Sequence, residues 1–499
     1  MTGSVRAGRY RPVGALLLLL TAGSAAIAQP ALPSPSIPAG PAISQPDPSV
    51  RPPAFDPPAP ARDAPTQPAA AGPDGVPLQD RWRNGLRFES ADKAFSLFVG
   101  GRAQLDVADY ITSRAVRESI PGTNPLEDGV TFRRIRLDMG GTIYKNVDFY
   151  TQVDFANGLI LSPGAKGATG TTNATYPTDV WVTFRNLPTV GNVRVGNQKP
   201  LYSFEHMTSS RFLNFLERSP GFDAFSEGFN NGFMPGITAF DLYADRRGTW
   251  AIGLFKYTRN PFGWNVGRNE AEVNGRVTYL PVDEDDGRKL VHIGVGAAYR
   301  DLDEGQGRLR SRMEVRNSPS ALSPLLADTG LFFGSRQQLV VPEFAAVYGP
   351  FSFQSEAYTA WYQGVVTQTP AGLPLAPQGT VFFFSWYAEA HYFLTGEHRE
   401  YNRESAAFGR VIPRTLFDWT RAGFTGLGAW QVAARYSYMD LNSKGVTGGR
   451  VHAMTAGLNW FMNPDLKVQW NYSLAYRAAP GDAPSGLIHA FGTRVAIDF

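Results

Sequence analysis

The sequence predicts an all-β chain: a 16-stranded antiparallel transmembrane β-barrel preceded by a disordered Pro-rich segment. Three observations carry that prediction. First, the last eleven residues, His489 to Phe499, alternate strictly. Phe491, Thr493, Val495, Ile497 and Phe499 share one face of an extended strand, and Gly492, Arg494, Ala496 and Asp498 share the other. Side chains alternate faces along a strand, so the segment is oily outside, polar inside and closed by an aromatic. Second, the same pattern recurs from residue 94 to 499 in an even number of segments, as bacterial barrels require. Third, Trp and Tyr fall near both ends of the apolar faces, where a bilayer has its interfaces.

Ahead of the barrel lie two other segments. Arg6, Arg9 and Arg11 precede an apolar run from Val13 to Leu20 and an Ala26-Ile27-Ala28 cleavage pattern, so residues 1–28 read as a secretory signal peptide. Without its three arginines the formal charge falls from +3 to about zero, which argues against nucleic acid as a partner. Residues 29–80 hold 16 prolines, as in Pro52-Pro53 and Pro57-Pro58, and should be an extended, disordered periplasmic linker. Contact with the cell wall is one use for such a segment. Residues 81–93 lead into the barrel at 94–499.

Strands are expected near 94–110, 130–142, 146–156, 178–186, 191–199, 236–245, 248–258, 271–281, 289–300, 338–348, 351–363, 379–394, 424–440, 450–462, 465–479 and 487–499. Lys467 to Tyr476 is the clearest: Val468, Trp470, Tyr472, Leu474 and Tyr476 oppose Gln469, Asn471, Ser473 and Ala475. Short turns such as Lys145-Asn146, Gly349-Pro350 and Asn463-Pro464 alternate with long loops at 111–129, 157–177, 200–235, 301–337 and 364–378. Residues 395–423 break the alternation: they are long where a short periplasmic turn is due.

The 33 Phe, 20 Tyr, 10 Trp and 52 Gly suit such a barrel, and the absence of Cys removes disulfides and thiol catalysis. The six histidines are scattered, Glu389 and His391 share a face without metal-site spacing, and no nucleophile elbow or phosphate-cradling Gly loop occurs. An enzyme is therefore not expected, nor a cofactor or metal. The chemistry lies in arginine: of 47 basic residues only 8 are Lys, and the guanidinium fork suits oxyanions. In the second strand, Arg134, Arg136 and Asp138 take the lumenal parity. Arg133 takes the lipid parity and should sit at a membrane boundary or a bulge. Arg102 on the first strand is lumenal. Arg136 fits a structural pair on the wall as well as an anion site. Arg308, Arg310, Arg312 and Arg316 share one edge of an extended loop, as a solvated external loop or as a staircase of anion sites would.

The chain resembles the phosphate/pyrophosphate-selective porin O and P family. The resemblance rests on Phe132-Arg133-Arg134-Ile135-Arg136-Leu137, on Gly196-Asn197-Gln198-Lys199-Pro200 with Glu205, on Phe215-Leu216-Glu217-Arg218-Ser219, on Tyr392-Phe393-Leu394-Thr395-Gly396-Glu397, and on Gly428 through Ser437. It implies a trimeric outer-membrane porin in which two external loops and one periplasmic turn fold inward, here 200–235, 301–337 and 395–423. It also implies constriction arginines at Arg102, Arg133 and Arg134 and an anion ladder at Arg308, Arg310, Arg312 and Arg316. The lysines of phosphate-selective members have only Lys93, Lys145 and Lys199 as counterparts. The function expected is a passive, anion-favouring channel for phosphate, pyrophosphate or similar oxyanions. Its partners would be membrane lipids, small anions and further copies of itself as a homotrimer. The alternative expectation is a tethering barrel with a plugged lumen.

Overall fold

The computed structural model describes residues 78–82, 85–120, 126–156, 159–161, 171–173, 175–226, 232–256, 271–302, 305–318, 323–367, 376–418 and 426–499. The expected leader and nearly all of the Pro-rich stretch lie outside the described residues.

Sixteen antiparallel strands close into a barrel. They are β1 (Ser96–Thr112), β2 (Gly129–Ile143), β3 (Val147–Asp154), β4 (Tyr176–Leu187), β5 (Gly191–Gln198), β6 (Met234–Tyr243), β7 (Gly248–Lys256) and β8 (Ala271–Glu284). The second half comprises β9 (Lys289–Asp301), β10 (Arg336–Tyr348), β11 (Phe351–Thr367), β12 (Ala376–Phe393), β13 (Ala429–Ser443), β14 (Val446–Phe461), β15 (Leu466–Ala478) and β16 (Gly486–Asp498). Each expected segment corresponds to one of these strands. The ends differ by a few residues, most at β13, which begins at Ala429 rather than 424. A further strand, Leu78–Trp82, overlaps the last three residues of the stretch expected as linker. It pairs with Leu86–Ser90, which in turn pairs with the start of β1.

The barrel closes where β16 meets β1, with Ile488 opposite Thr112 and Asp498 opposite Arg102. Phe499 completes the seam: its carbonyl accepts from Gly101 N at 2.7 Å and its N–H donates to Gly101 O at 3.0 Å. Just past that point, Leu86–Ser90 covers the edge of β1 that β16 leaves free. No long unpaired strand edge remains at the seam.

Alternation sets the two surfaces. Phe132, Leu137 and Met139 on β2, Ile252 and Leu254 on β7, and Phe491, Val495 and Ile497 on β16 are exposed to the outside. At the short-turn end Trp430 stacks on Trp460 at 5.1 Å and on Trp470 at 6.3 Å between ring centres. Large aromatics there suit a membrane interface. The lumen is not empty. The described residues of three connections, 199–226, 305–318 and 394–418, bring buried side chains into it. They carry α2 (Phe204–Met207) and α3 (Pro220–Phe225); α1 (Arg114–Ser119) follows β1. The main apolar cluster, with Tyr202, Phe222, Phe225, Met313 and Val315, lies between these segments and the inward face of the wall.

Gly101 is where this closure is most sensitive. A Cβ there would lie 2.8 Å from Phe499 Cζ and 2.7 Å from Arg136 O. Gly101→Val should therefore lower the free energy of unfolding in urea by ~1–3 kcal/mol, as overpacking does. Heat-modifiable gel mobility of the refolded variant checks it. An unchanged midpoint would mean that the Phe499 seam contributes nothing.

Candidate functional site

The site begins with an irregularity in β2. Gln104 pairs with Arg134, yet Leu105 pairs with Phe132, so Arg133 is the extra residue of a bulge. A bulge places two residues opposite one and re-aims side chains. As a result Arg133 and Arg134 both turn inward and are buried, at 2% and 4% exposure, while Phe132 remains outside. Arg136 and Arg102 follow the regular inward parity and face each other in register.

Opposite this wall lie residues 199–226, which bring the counter-charge. Glu217 accepts two bonds from Arg133, at 2.6 and 2.9 Å. It also lies 3.7 Å from Arg134, 3.8 Å from Arg316 and 3.3 Å from Arg494. Burial alone would raise the Glu217 carboxyl, but Arg133, Arg316 and Arg134 outweigh it and hold it well below the usual carboxylate range. Arg494 is fixed by Asp106 at 2.6 Å, Arg136 by Asp154 at 2.7 Å and Arg211 by Asp138 at 2.7 Å.

Arg102 differs from these. Its Nη1 donates to Ser210 Oγ at 2.7 Å and its Nη2 to Gln152 Oε1 at 3.0 Å. No carboxylate among the described residues lies within ion-pairing distance, and its Nε has no acceptor. Arg194 stands 3.9 Å over the Trp181 ring and donates to Thr183, again without a carboxylate. Lys199 donates to the carbonyl of His206 at 2.6 Å. Burial, reinforced by Arg218, pushes its ammonium well below the usual lysine value. These three are cations without a paired carboxylate among the described residues.

The four loop arginines run inward in sequence order. Arg308 is half-exposed and paired with Asp328 at 2.5 Å. Arg310 has no carboxylate partner among the described residues; burial and its neighbours Arg312 and Arg308 lower its pKa. Arg312 and Arg316 are buried, Arg312 on Asp223 at 2.5 Å and Arg316 on Asp223 at 3.2 Å. The first pair lines a cavity of about 320 Å³ near the long-loop end. Arg316 lines a central cavity of about 530 Å³, together with Arg102, Arg133, Arg134 and Arg136. Among the described residues, eight arginines and one lysine line the central cavity against two carboxylates, Asp179 and Glu217. A third cavity, of about 610 Å³, shares Arg194, Met207, Asn402 and Ser405 with it and reaches Asn186 near the end of β4 and the turn residue Arg246.

Several residues here lay outside the sequence expectation. Arg194 and Arg211 belong to no local pattern that marks them, although the inward parity of β5 includes Arg194. Glu205 and Glu217 stood in the family-like motifs without a role. Lys199 lines the cavity, whereas Lys93 and Lys145 are exposed at turns. Lys467 is buried and donates to the carbonyls of Arg211 and Leu213. Residues of 394–418 reach the same region: Arg399 donates to Phe212 O at 2.9 Å, and Phe408 packs on Phe204.

A family model described as phosphate-selective porin O and P matches residues 99–497. Porin O of Pseudomonas aeruginosa is 26% identical over 422 residues, covering 80% of this chain and 87% of that protein. An uncharacterized protein of Caulobacter vibrioides is 29% identical over 455 residues, covering 87% of this chain and 79% of its own length. Among solved structures, Salmonella typhi OmpF in complex with daunomycin is similar at 11% identity and a TM-score of 0.48, over 84% of this chain and 100% of that one. An anion-selective porin from Comamonas acidovorans is similar at 13% identity and a TM-score of 0.45, over 81% of this chain and 100% of that one.

The inward segment also carries a proton-linked contact. Burial pushes the Glu205 carboxyl up from 4.5 to about 8, against the pull of Arg435. The folded chain then holds a proton that the unfolded chain releases. Stability from this group is full below pH 4.5 and is lost as pH rises through about 8. The slope in that window is at most ~1.4 kcal/mol per pH unit. Glu205→Gln should flatten it, read as urea midpoints at the two ends of the window. An identical slope in the variant would rule the linkage out.

Proposed function

The chain belongs to the phosphate-selective porin O and P family and is an outer-membrane porin; from that footing we propose that it conducts small anions passively, with a preference for oxyanions such as phosphate or pyrophosphate. The observation that carries this reading is the charge of the central cavity: eight arginines and a lysine against two carboxylates. Arg308, Arg310, Arg312 and Arg316 raise the anion concentration along the entry path. Arg102, Arg133, Arg134 and Arg136 replace part of the ion's hydration shell at the constriction. Several weak sites in series let an ion enter and still leave. Fixed ion pairs reduce what some of these groups can offer, so Arg102, Arg194, Arg310 and Lys199 carry most of the attraction. The cavities along the lumen support conduction over a plugged, tethering barrel. The same reading includes a homotrimer in the membrane, a cleaved leader at 1–28 and a Pro-rich linker at 29–80 on the periplasmic side.

Arg102 is the sharpest point of attack. Arg102→Glu should shift the zero-current potential in a KCl gradient toward cation preference. It should also weaken phosphate block of chloride current at least tenfold, about the effect of ~1.4 kcal/mol at one site. A potential and a block both equal to wild type would remove Arg102 from the constriction.

A further inference from the structure

One wall of the lumen carries a row of rings flanked by arginines. Phe98 on β1 meets Tyr150 on β3 at 5.9 Å, and Tyr150 stacks on Trp181 of β4 at 5.4 Å. Arg194 of β5 lies 3.9 Å from the Trp181 ring centre and 5.1 Å from that of Phe240 on β6. Arg87 closes the other end, 5.0 Å over Phe98. The strip runs from β1 to β6, with Gly140 as the contribution of β2. Glycines make room for it: a Cβ at Gly140 would stand 2.7 Å from Phe98 and 2.9 Å from Tyr150, and one at Gly196 would stand 2.9 Å from Trp181 Cβ. Tyr150 and Trp181 line the central cavity, and Phe240 lines the adjoining one.

The strip is joined to the unpaired guanidinium. Arg102 donates to Gln152 at 3.0 Å, and Gln152 donates to the Tyr150 hydroxyl at 3.0 Å. Asp179 is the opposing charge beside it, and it accepts from the Trp181 indole N–H at 3.2 Å. Inorganic phosphate has no use for ring faces. An arene has, because offset ring stacking adds to what its charged group gains.

We propose that this strip is a binding track for small aromatic carboxylates, with the ring against Trp181 and Tyr150 and the carboxylate on Arg102, Arg194 or Lys199. The proposal rests on the anion-favouring reading and narrows it to anions with a planar body. A strip that only fills space over glycines would not distinguish a flat ring from a puckered one.

The test compares benzoate with cyclohexanecarboxylate, equal in charge and similar in size, as blockers of chloride current through the full chain in planar bilayers. Half-block by benzoate should need about fivefold less anion, as one stacked ring pair provides. Trp181→Leu should abolish that ratio, and Trp181→Phe should keep most of it. Equal half-block for the two acids in the wild type overturns the proposal, and so does an unchanged ratio in a Trp181→Leu barrel of normal heat-modifiable mobility. The zero-current potential in KCl is read in parallel. A cation-preferring potential with ring discrimination intact would sink the anion reading alone. An anion-preferring potential without ring discrimination would sink this proposal alone.

Discussion

One buried carboxylate holds the inside of this barrel together. Glu217, on a segment that crosses the lumen, lies within ion-pairing distance of Arg133, Arg134, Arg316 and Arg494. Those arginines come from β2, from a second inward segment and from the closing strand β16. Its backbone carbonyl accepts from Arg435 of β13 at 3.0 Å. Breaking a buried pair by removing one partner leaves an uncompensated charge and costs several kcal/mol. One glutamate thus ties its segment to distant strands.

The same arrangement divides the cations into two kinds. Those on Glu217, Asp106, Asp154, Asp138 and Asp223 build the wall and position the segments. Arg102, Arg194, Arg310 and Lys199 have no such partner among the described residues. Their charge is left for whatever occupies the cavities. Arginine suits both tasks, since it stays charged when desolvated and its fork can meet a carboxylate of the wall or an oxyanion in transit. The lysines expected to line the turn end do not line these cavities, apart from Lys199. The described lining of the cavities is therefore dominated by guanidinium groups, beside a row of rings from Phe98 to Phe240.

The barrel was legible in the sequence because a lipid-facing strand must alternate, and a period of two survives without any knowledge of partners. Phe491 to Phe499 and Val468 to Tyr476 show this plainly. Arg133 was the instructive exception. Its parity pointed to lipid, and only a boundary or a bulge could reconcile it with the lumen; the bulge opposite Gln104 and Leu105 is what the strand adopts. The interior of 199–233 was not legible. It has no period, and the value of Glu217 or Arg211 depends on which strands they reach across the lumen. That three connections turn inward came from the resemblance to a known family rather than from any local pattern. Arg194 lay in an ordinary strand, and its place over Trp181 depends on which residue the neighbouring strand sets beside it.

The central claim is that unpaired guanidinium charge in the lumen makes this pore favour anions. The most direct measurement is the zero-current potential of the wild-type channel in a planar bilayer under a KCl gradient, repeated with potassium phosphate. The account predicts a potential with the sign of the anion in both salts and reduced chloride current when phosphate is added. A potential with the sign of potassium in both salts would contradict it.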